Sequence, residues 1–240
     1  MCYLSIVIPA YNEEKRLPDT LIKIRDYLNR QDYTWEIIVV DDGSADNTIG
    51  AAREALGEEG LTVIGNRTNS GKGWSVRRGM LAAKGEVVLF SDADLSTPIE
   101  ELDKMLPLIR EGCDIVIGSR ALPDSDIVVP QPRHRQTMGK IFNLLVRGIL
   151  LGGFRDTQCG FKCYRGEAAR AVFGLQRLAG FAFDVEDLYI AGKLGLKVKE
   201  LPIRWLDSPD SRVGLVGGSS SMLLDLFRIR LYDLAGMYKV

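Results

Sequence analysis

Four short aliphatic runs, at residues 4–8, 37–40, 87–90 and 115–117, constrain this chain more than any other feature of its sequence. They are rich in Val and Ile and do not alternate with polar residues. Strands buried on both faces read this way, which points to a parallel sheet. Residues 61–64 read as a fifth, weaker strand. Helical stretches fall between the runs. Residues 13–28 place Leu17, Leu21, Ile24 and Leu28 at spacings of four, three and four, and residues 45–56 and 74–83 are further helices. Thr97-Pro98-Ile99-Glu100 predicts a helix start, with Thr97 as N-cap, Pro98 at the first helical position and Glu100 closing a capping box; the helix runs to about Arg110. Strand and helix alternating in this way predict right-handed crossovers and a mostly parallel, doubly wound α/β sheet flanked by helices.

The second half of the chain is less regular. Residues 121–136 hold three prolines and no periodicity, and read as a long surface loop. Residues 136–151 predict an apolar helix, with further helices near 166–173 and 184–194 and a strand near 197–205. Residues 208–221 are rich in Gly and Ser and are expected to be mobile. A final helix over 222–238 is expected to be amphipathic: Leu223, Leu224, Phe227, Leu231, Leu234, Ala235 and Tyr238 share one side, opposite Asp225, Arg228, Arg230 and Asp233. Its apolar arc would dock onto the core or, as the sharper alternative, lie on a membrane or on a second copy of the chain.

With 240 residues, 46% of them hydrophobic, the chain can bury a sizeable core without staples. A formal net charge of −1 gives no global basic field, so nucleic acid is not expected as a partner and any bound anion must be held by local groups. The four cysteines, Cys2, Cys113, Cys159 and Cys163, include no C-x-x-C pair and suit a reduced intracellular protein. One histidine, His134, argues against a zinc site built from several His ligands. No signal peptide and no apolar stretch of the ~18–20 residues needed to span a bilayer is read, so the chain is expected to be soluble or to lie on a membrane surface.

The polar residues that interrupt the sheet pattern follow the carboxyl ends of the strands, where open α/β sheets bind ligands. These are Pro9-Ala10-Tyr11-Asn12-Glu13, Asp41-Asp42-Gly43-Ser44, Ser91-Asp92-Ala93-Asp94 and Gly118-Ser119-Arg120. In an extended segment residues i and i+2 face the same way, so Asp92 and Asp94 can share one hard cation. Mg²⁺ or Mn²⁺ takes oxygen ligands and leaves positions for substrate phosphates. Asp42 can accept hydrogen bonds from a base or ribose, or simply form a turn and cap. Lys72, between glycines at a helix start, suits an anion contact. Arg120, Arg133, His134 and Arg135 form a basic group, either a solvated run or an anion-binding rim, and Arg212 could close over a diphosphate. Asp184, Glu186 and Asp187 either favour the dipole of a helix start or supply a base. A receiver-type signalling domain, phosphorylated on Asp92, is a rival reading, as is a sugar-nucleotide-binding protein without catalysis. In the receiver the long C-terminal half has no use.

As a set, Pro9-Ala10-Tyr11-Asn12-Glu13, Val40-Asp41-Asp42-Gly43-Ser44 and Asp92-Ala93-Asp94 resemble the inverting, GT-A-type family-2 glycosyltransferases. Asp92-Ala93-Asp94-Leu95-Ser96-Thr97-Pro98, Arg155-Asp156-Thr157-Gln158-Cys159-Gly160-Phe161-Lys162 and Phe181-Ala182-Phe183-Asp184-Val185-Glu186 narrow the resemblance to dolichyl-phosphate β-glucosyltransferases, with dolichol-phosphate mannose synthases next. The resemblance implies one GT-A domain over 1–240, with a nucleotide-binding half (1–118) and an acceptor-binding half (119–240). It implies that Pro9, Ala10, Tyr11, Glu13, Asp42 and Asp92 bind a nucleoside-diphosphate sugar such as UDP-glucose, to which the anion contact read at Lys72 would add. Asp92 and Asp94 would hold Mg²⁺ or Mn²⁺. Arg120 with a basic residue among Arg133–Arg135, and Arg212, would hold a polyprenyl phosphate acceptor. Asp94, Arg120, Asp156, Gln158, Asp184 and Glu186 would line the catalytic centre. Peripheral contact with the cytoplasmic face of a membrane is expected, with a homo-oligomer left open. Two departures stand out: no N-terminal anchor is read, and Ser211-Arg212-Val213 replaces the usual Ser-Lys-Val.

Overall fold

The computed structural model describes residues 2–57, 60–130, 132–207 and 217–239. The aliphatic runs are strands β1 (Leu4–Ala10), β2 (Trp35–Asp41), β4 (Val87–Ser91) and β5 (Ile115–Ser119), and the weaker run is β3 (Leu61–Gly65). The sheet also contains β7 (Phe161–Arg165) and β8 (Val198–Pro202), and its order is β3-β2-β1-β4-β7-β5-β8. All neighbours are parallel except β7, which runs antiparallel to both β4 and β5.

Strands β1, β2, β4 and β5 are largely buried on both faces, which is why their runs lack polar alternation, whereas the edge strands β3 and β8 are partly exposed. Leu4, Ile6 and Ile8 of β1 pack into one core with α1 (Leu17–Leu28) and α4 (Leu102–Arg110). Val7, between them, faces the other core. That second core is built on α3 (Lys72–Ala82), α5 (Arg133–Ile149), α6 (Gly166–Leu175), α7 (Phe183–Lys193) and α8 (Gly217–Leu234). Helix α2 (Thr48–Leu56) packs beside α1. Each fully buried Leu or Ile contributes roughly 1.5–3 kcal/mol, so the sheet is held from both sides.

Several expectations are corrected. Strand β7 was not read from the sequence because Lys162 and Arg165 make it look polar, yet Lys162 is fully buried. The expected loop at 121–136 contains β6 (Asp126–Val129) and the first turn of α5. The strand expected at 197–205 is broken: Pro202, with no N–H to donate, ends β8, and β9 (Arg204–Leu206) leaves the main sheet to pair with β6. The capping box at Thr97 does not form. Pro98 is extended, a 3₁₀ turn spans Ile99–Glu101, and α4 follows, ending at Arg110 as expected. The final helix docks by a different side from the one expected. Met222, Leu226 and Ile229 are buried, together with Asp225, while Leu224, Phe227, Leu231 and Leu234 of the expected arc are 57–83% exposed. Apolar residues thus lie on both its docked and its free sides; of the arc expected to dock, Tyr238 is buried. The segment expected to be mobile falls largely outside the described residues, as does Arg212.

Candidate functional site

Two clefts open at the carboxyl edge of the sheet, each of about 390 Å³. The first is lined by the ends of β1 (Pro9, Ala10, Tyr11), β2 (Asp42) and β4 (Asp92, Ala93, Asp94), and by Lys72 at the start of α3. Residues 69 to 94 meet residues 9 to 42 here because parallel strands end on one edge, and Phe181 joins them from the turn before α7. Glu13 also lines this cleft and binds Arg16, donating nothing itself: Arg16 Nη2 and Nε donate to its carboxylate at 2.6 and 2.9 Å. Half-exposed Tyr11 and Phe181 supply aromatic surface.

Asp42 acts largely on its own chain. Its carboxylate accepts from the Ser70 and Gly71 N–H groups, each at 2.9 Å, and from Asn66 Nδ2 at 2.7 Å. It thereby fastens the turn that carries Lys72. Gly71 has φ +101°, and a Cβ there would lie 2.4 Å from the Ala179 carbonyl oxygen, so only glycine fits. Lys72 Nζ reaches Asp92 Oδ1 at 2.7 Å. Burial works against its charge, but Asp92 and Asp184 outweigh this and hold its pKa above the ordinary lysine value. Asp94 accepts from the Ser96 N–H at 3.0 Å, and burial, with Asp92 adding, raises its pKa.

Asp92 is packed from behind. Its N–H donates to the Gly160 carbonyl at 3.0 Å, and a Cβ on Gly160 would come within 1.9 Å of Asp92 Oδ2. Gly160 closes the segment that starts at Asp156, so the same segment borders the second cleft. There Asp156 accepts from Arg120 Nε (2.7 Å), Nη2 (2.9 Å) and N–H (3.0 Å). Burial would raise the Asp156 pKa, but the Arg120 guanidinium overrides it and holds it below the usual carboxylate range. Asp156 takes two of the five guanidinium N–H groups, leaving others for a ligand. The guanidinium also lies 5.6 Å from the centre of the Trp205 ring. Gln158, Lys140, Arg155, Ile127 and Pro130 are also in the lining.

The three acids of α7 do not line either cleft. Asp184 pairs with Lys162 in the core, where burial raises its pKa against the pull of Lys162 and Lys72. Glu186 accepts from the Arg177 and Leu178 N–H groups at 3.0 and 2.8 Å and from the Tyr238 hydroxyl at 2.5 Å. Asp187 is fully buried, and both its oxygens lack a partner among the described residues. Burial pushes its pKa far up. Asp184 and Glu186, expected at the catalytic centre, therefore lie outside the lining of both clefts, with Asp184 close enough to Lys72 to affect its charge. Arg133 and Arg135 sit in the first turn of α5, next to the second cleft in sequence, but their side chains lie outside the described set. Lys140, Arg155, Arg16 and Phe181 were not singled out from the sequence. Arg155 and Phe181 stood within quoted motifs, whereas Lys140 lies in a stretch read only as helix.

Among the described residues, no group of three or more His, Cys, Asp or Glu side chains forms a metal cage. Asp92 and Asp94 do line one cleft together, a donor set that suits a hard cation completing its shell with ligand oxygens. No helix among the described residues is long and apolar enough to cross a membrane. The cysteines carry no disulfide.

The sheet, with one antiparallel strand among parallel ones and acids at its carboxyl edge, matches known proteins. The family model described as glycosyl transferase family 2 matches residues 5–173. The dolichyl-phosphate beta-glucosyltransferase of Dictyostelium discoideum is 34% identical over 99% of this chain and 77% of its own. The human enzyme of that name is 35% identical over 99% and 78%. A crystal structure of Mycobacterium tuberculosis glucosyl-3-phosphoglycerate synthase, with Mn²⁺, uridine diphosphate and glucosyl-3-phosphoglycerate, superposes with a TM-score of 0.70 at 22% identity, covering 95% of this chain and 80% of that one. This chain belongs to glycosyl transferase family 2. It is a hexosyltransferase with the GT-A fold that the resemblance implied, and the receiver-domain reading falls.

Proposed function

We propose that this protein transfers glucose from UDP-glucose to a dolichyl or other polyprenyl phosphate, with inversion at the anomeric carbon and with Mg²⁺ or Mn²⁺ held by Asp92 and Asp94. The observation that carries the reading is the meeting of two unlike clefts at residues 156–160. One presents paired carboxylates and Lys72; the other presents Arg120, Lys140 and Arg155 beside apolar Ile127, Pro130 and Trp205. A phosphate headed by arginines and trailed by an apolar chain suits the second cleft. The names of the relatives support the same acceptor.

In this reading Tyr11 and Phe181 flank the base, and Lys72 meets the diphosphate. The cation, when bound, stabilises charge on the departing nucleoside diphosphate. Arg120, fixed by Asp156, orients the acceptor phosphate for attack. A phosphate is already anionic near neutral pH and needs placement more than a base. A panel of nucleotide sugars assayed with Mn²⁺ and a short polyprenyl phosphate is expected to give turnover with UDP-glucose. Turnover with no donor, or transfer only to hydroxyl acceptors, would sink the assignment.

A lipid acceptor also requires a membrane surface, and we place it on α5 and α8, which pack against each other. Helix α5 lines the acceptor cleft, and its outer side exposes Ile141 and Leu144; α8 exposes Leu224, Phe227, Leu231 and Leu234. Exposed apolar surface of this extent marks an interaction site. Leu224→Glu with Phe227→Glu is expected to weaken sedimentation with phosphatidylcholine–phosphatidylserine vesicles about tenfold or more, since each buried side chain of this size contributes roughly 1.5–3 kcal/mol. Both residues are about 60% exposed, so the fold is spared. Equal vesicle binding by the variant would place the contact elsewhere.

A further inference from the structure

We propose that Lys72 and the divalent ion compete for Asp92, so that Lys72 is a positioning residue that makes metal and nucleoside diphosphate bind as a coupled pair. The inference rests on the donor reading above and goes beyond it, because it concerns how the two ligands depend on each other.

The geometry is that of one carboxylate with two suitors. Lys72 Nζ sits 2.7 Å from Asp92 Oδ1, with the two side chains 24% and 34% exposed. Both are anchored at the backbone. Asp92 is backed by the Gly160 main chain, with no room even for a Cβ between them. The Lys72 backbone is pinned on both sides: Ser70 and Gly71 donate to Asp42, and Trp74 N–H donates to the Ala179 carbonyl at 3.2 Å. The ammonium further lies 5.4 and 5.9 Å from the Phe90 and Phe183 ring centres, which favour a cation at that spot.

A divalent ion on Asp92 would share that carboxylate with a full positive charge a few ångströms away, and like charges so close oppose each other. The protein offers the ion Asp92 and Asp94 in this cleft and no larger acidic cage among the described residues, so the rest of its shell comes from water or from the ligand. A diphosphate resolves the conflict. Its oxygens can accept from the Lys72 ammonium, whose flexible four-carbon stem lets the tip swing off Asp92, and they complete the shell of the ion. Linkage then requires the benefit to be mutual: whatever factor the nucleotide adds to metal affinity, the metal adds to nucleotide affinity.

The test is a titration of the full chain with Mn²⁺, followed by the EPR signal of the free ion, with and without UDP. For the natural chain UDP is expected to tighten Mn²⁺ binding by about tenfold or more, within the ~5–150-fold range of coupled sites. Lys72→Met is expected to bind Mn²⁺ alone several-fold more tightly than the natural chain, with the effect of UDP reduced several-fold but not abolished, because the diphosphate still completes the shell of the ion. Lys72→Gln, polar at a partly exposed position, repeats the test should the Met variant fold poorly, and Lys72→Arg, which keeps the charge, is expected to keep the coupling. Unchanged or weaker Mn²⁺ binding without UDP in folded Met and Gln variants, with coupling as in the natural chain, overturns the inference while leaving the donor reading intact. A natural chain that binds neither Mn²⁺ nor UDP overturns the donor reading and this inference with it.

Discussion

Asp92→Asn is expected to lower glucosyl transfer by about two to three orders of magnitude, the loss typical when one preorganised charge-stabilising group is removed, while the protein melts within a few degrees of its natural temperature. The expectation follows from where Asp92 sits. It directly follows β4, a strand buried on both faces, and its side chain is 34% exposed in the cleft it shares with Asp94. Asparagine has the same shape, so the close approach of Gly160 is undisturbed, and its amide oxygen can still accept from a lysine that is itself about a quarter exposed, so losing the paired charge is a modest structural cost. What is lost is the negative charge on which a divalent ion depends. Mn²⁺ binding in the presence of UDP should weaken along with transfer. Asp42→Asn serves as the contrast: its carboxylate holds the turn of Ser70 and Gly71, so its loss should disturb the placement of Lys72 and raise KM for the donor more than it lowers kcat. Near-natural turnover of the Asp92 variant at saturating metal would remove the central role given to the carboxylate pair.

The sequence made the first half of this architecture legible because physics left little choice. Runs such as Val87-Val88-Leu89-Phe90 are stable only where both faces are covered, and a polar residue directly after such a run can only lie at the sheet edge. Hence Asp42, Asp92 and Arg120, each the first residue after β2, β4 and β5, are legible as sheet-edge residues in the sequence. The second half hid its logic in pairs. Lys162 disguises a central strand, since its charge is acceptable only because Asp184, more than twenty residues away, meets it in the core. Conversely, Asp184, Glu186 and Asp187 at the start of α7 have the composition of a catalytic cluster, and nothing local distinguishes a base facing substrate from a carboxylate capping the N–H groups of Arg177 and Leu178. Helix α8 carries apolar residues on more than one side, so its pattern did not decide which side would dock; the neighbours that bury Leu226 and Ile229 did.

The buried pair beneath the site should be the most sensitive point of the fold. Lys162 is fully buried in the middle of β7, between β4 and β5, and its ammonium donates to the Asp184 carboxylate and, at 3.2 Å, to the Asp184 carbonyl. Lys162→Met keeps the length of the stem and removes the charge. Asp184 and Asp187 then lose their nearest cation, and breaking a buried pair in this way costs about 3–5 kcal/mol. For a chain of this size each kcal/mol shifts Tm by roughly 2–4 °C, so a drop of about 6–20 °C is expected. The sign of the pH effect follows from Asp184, whose pKa burial already raises and which would rise further without Lys162. A carboxyl with a raised native pKa binds more protons folded than unfolded, so its contribution to stability declines as pH climbs from the unfolded value near 3.9 towards the native one. The variant should therefore lose more at pH 8 than at pH 5, measured by thermal unfolding. Adding Asp184→Leu should recover most of the loss, because a well-packed apolar pair replaces a buried ion pair at little or no cost. A single variant that melts with the natural protein, or a double variant no more stable than the single, would mean that Lys162 is held by something other than its partner on α7.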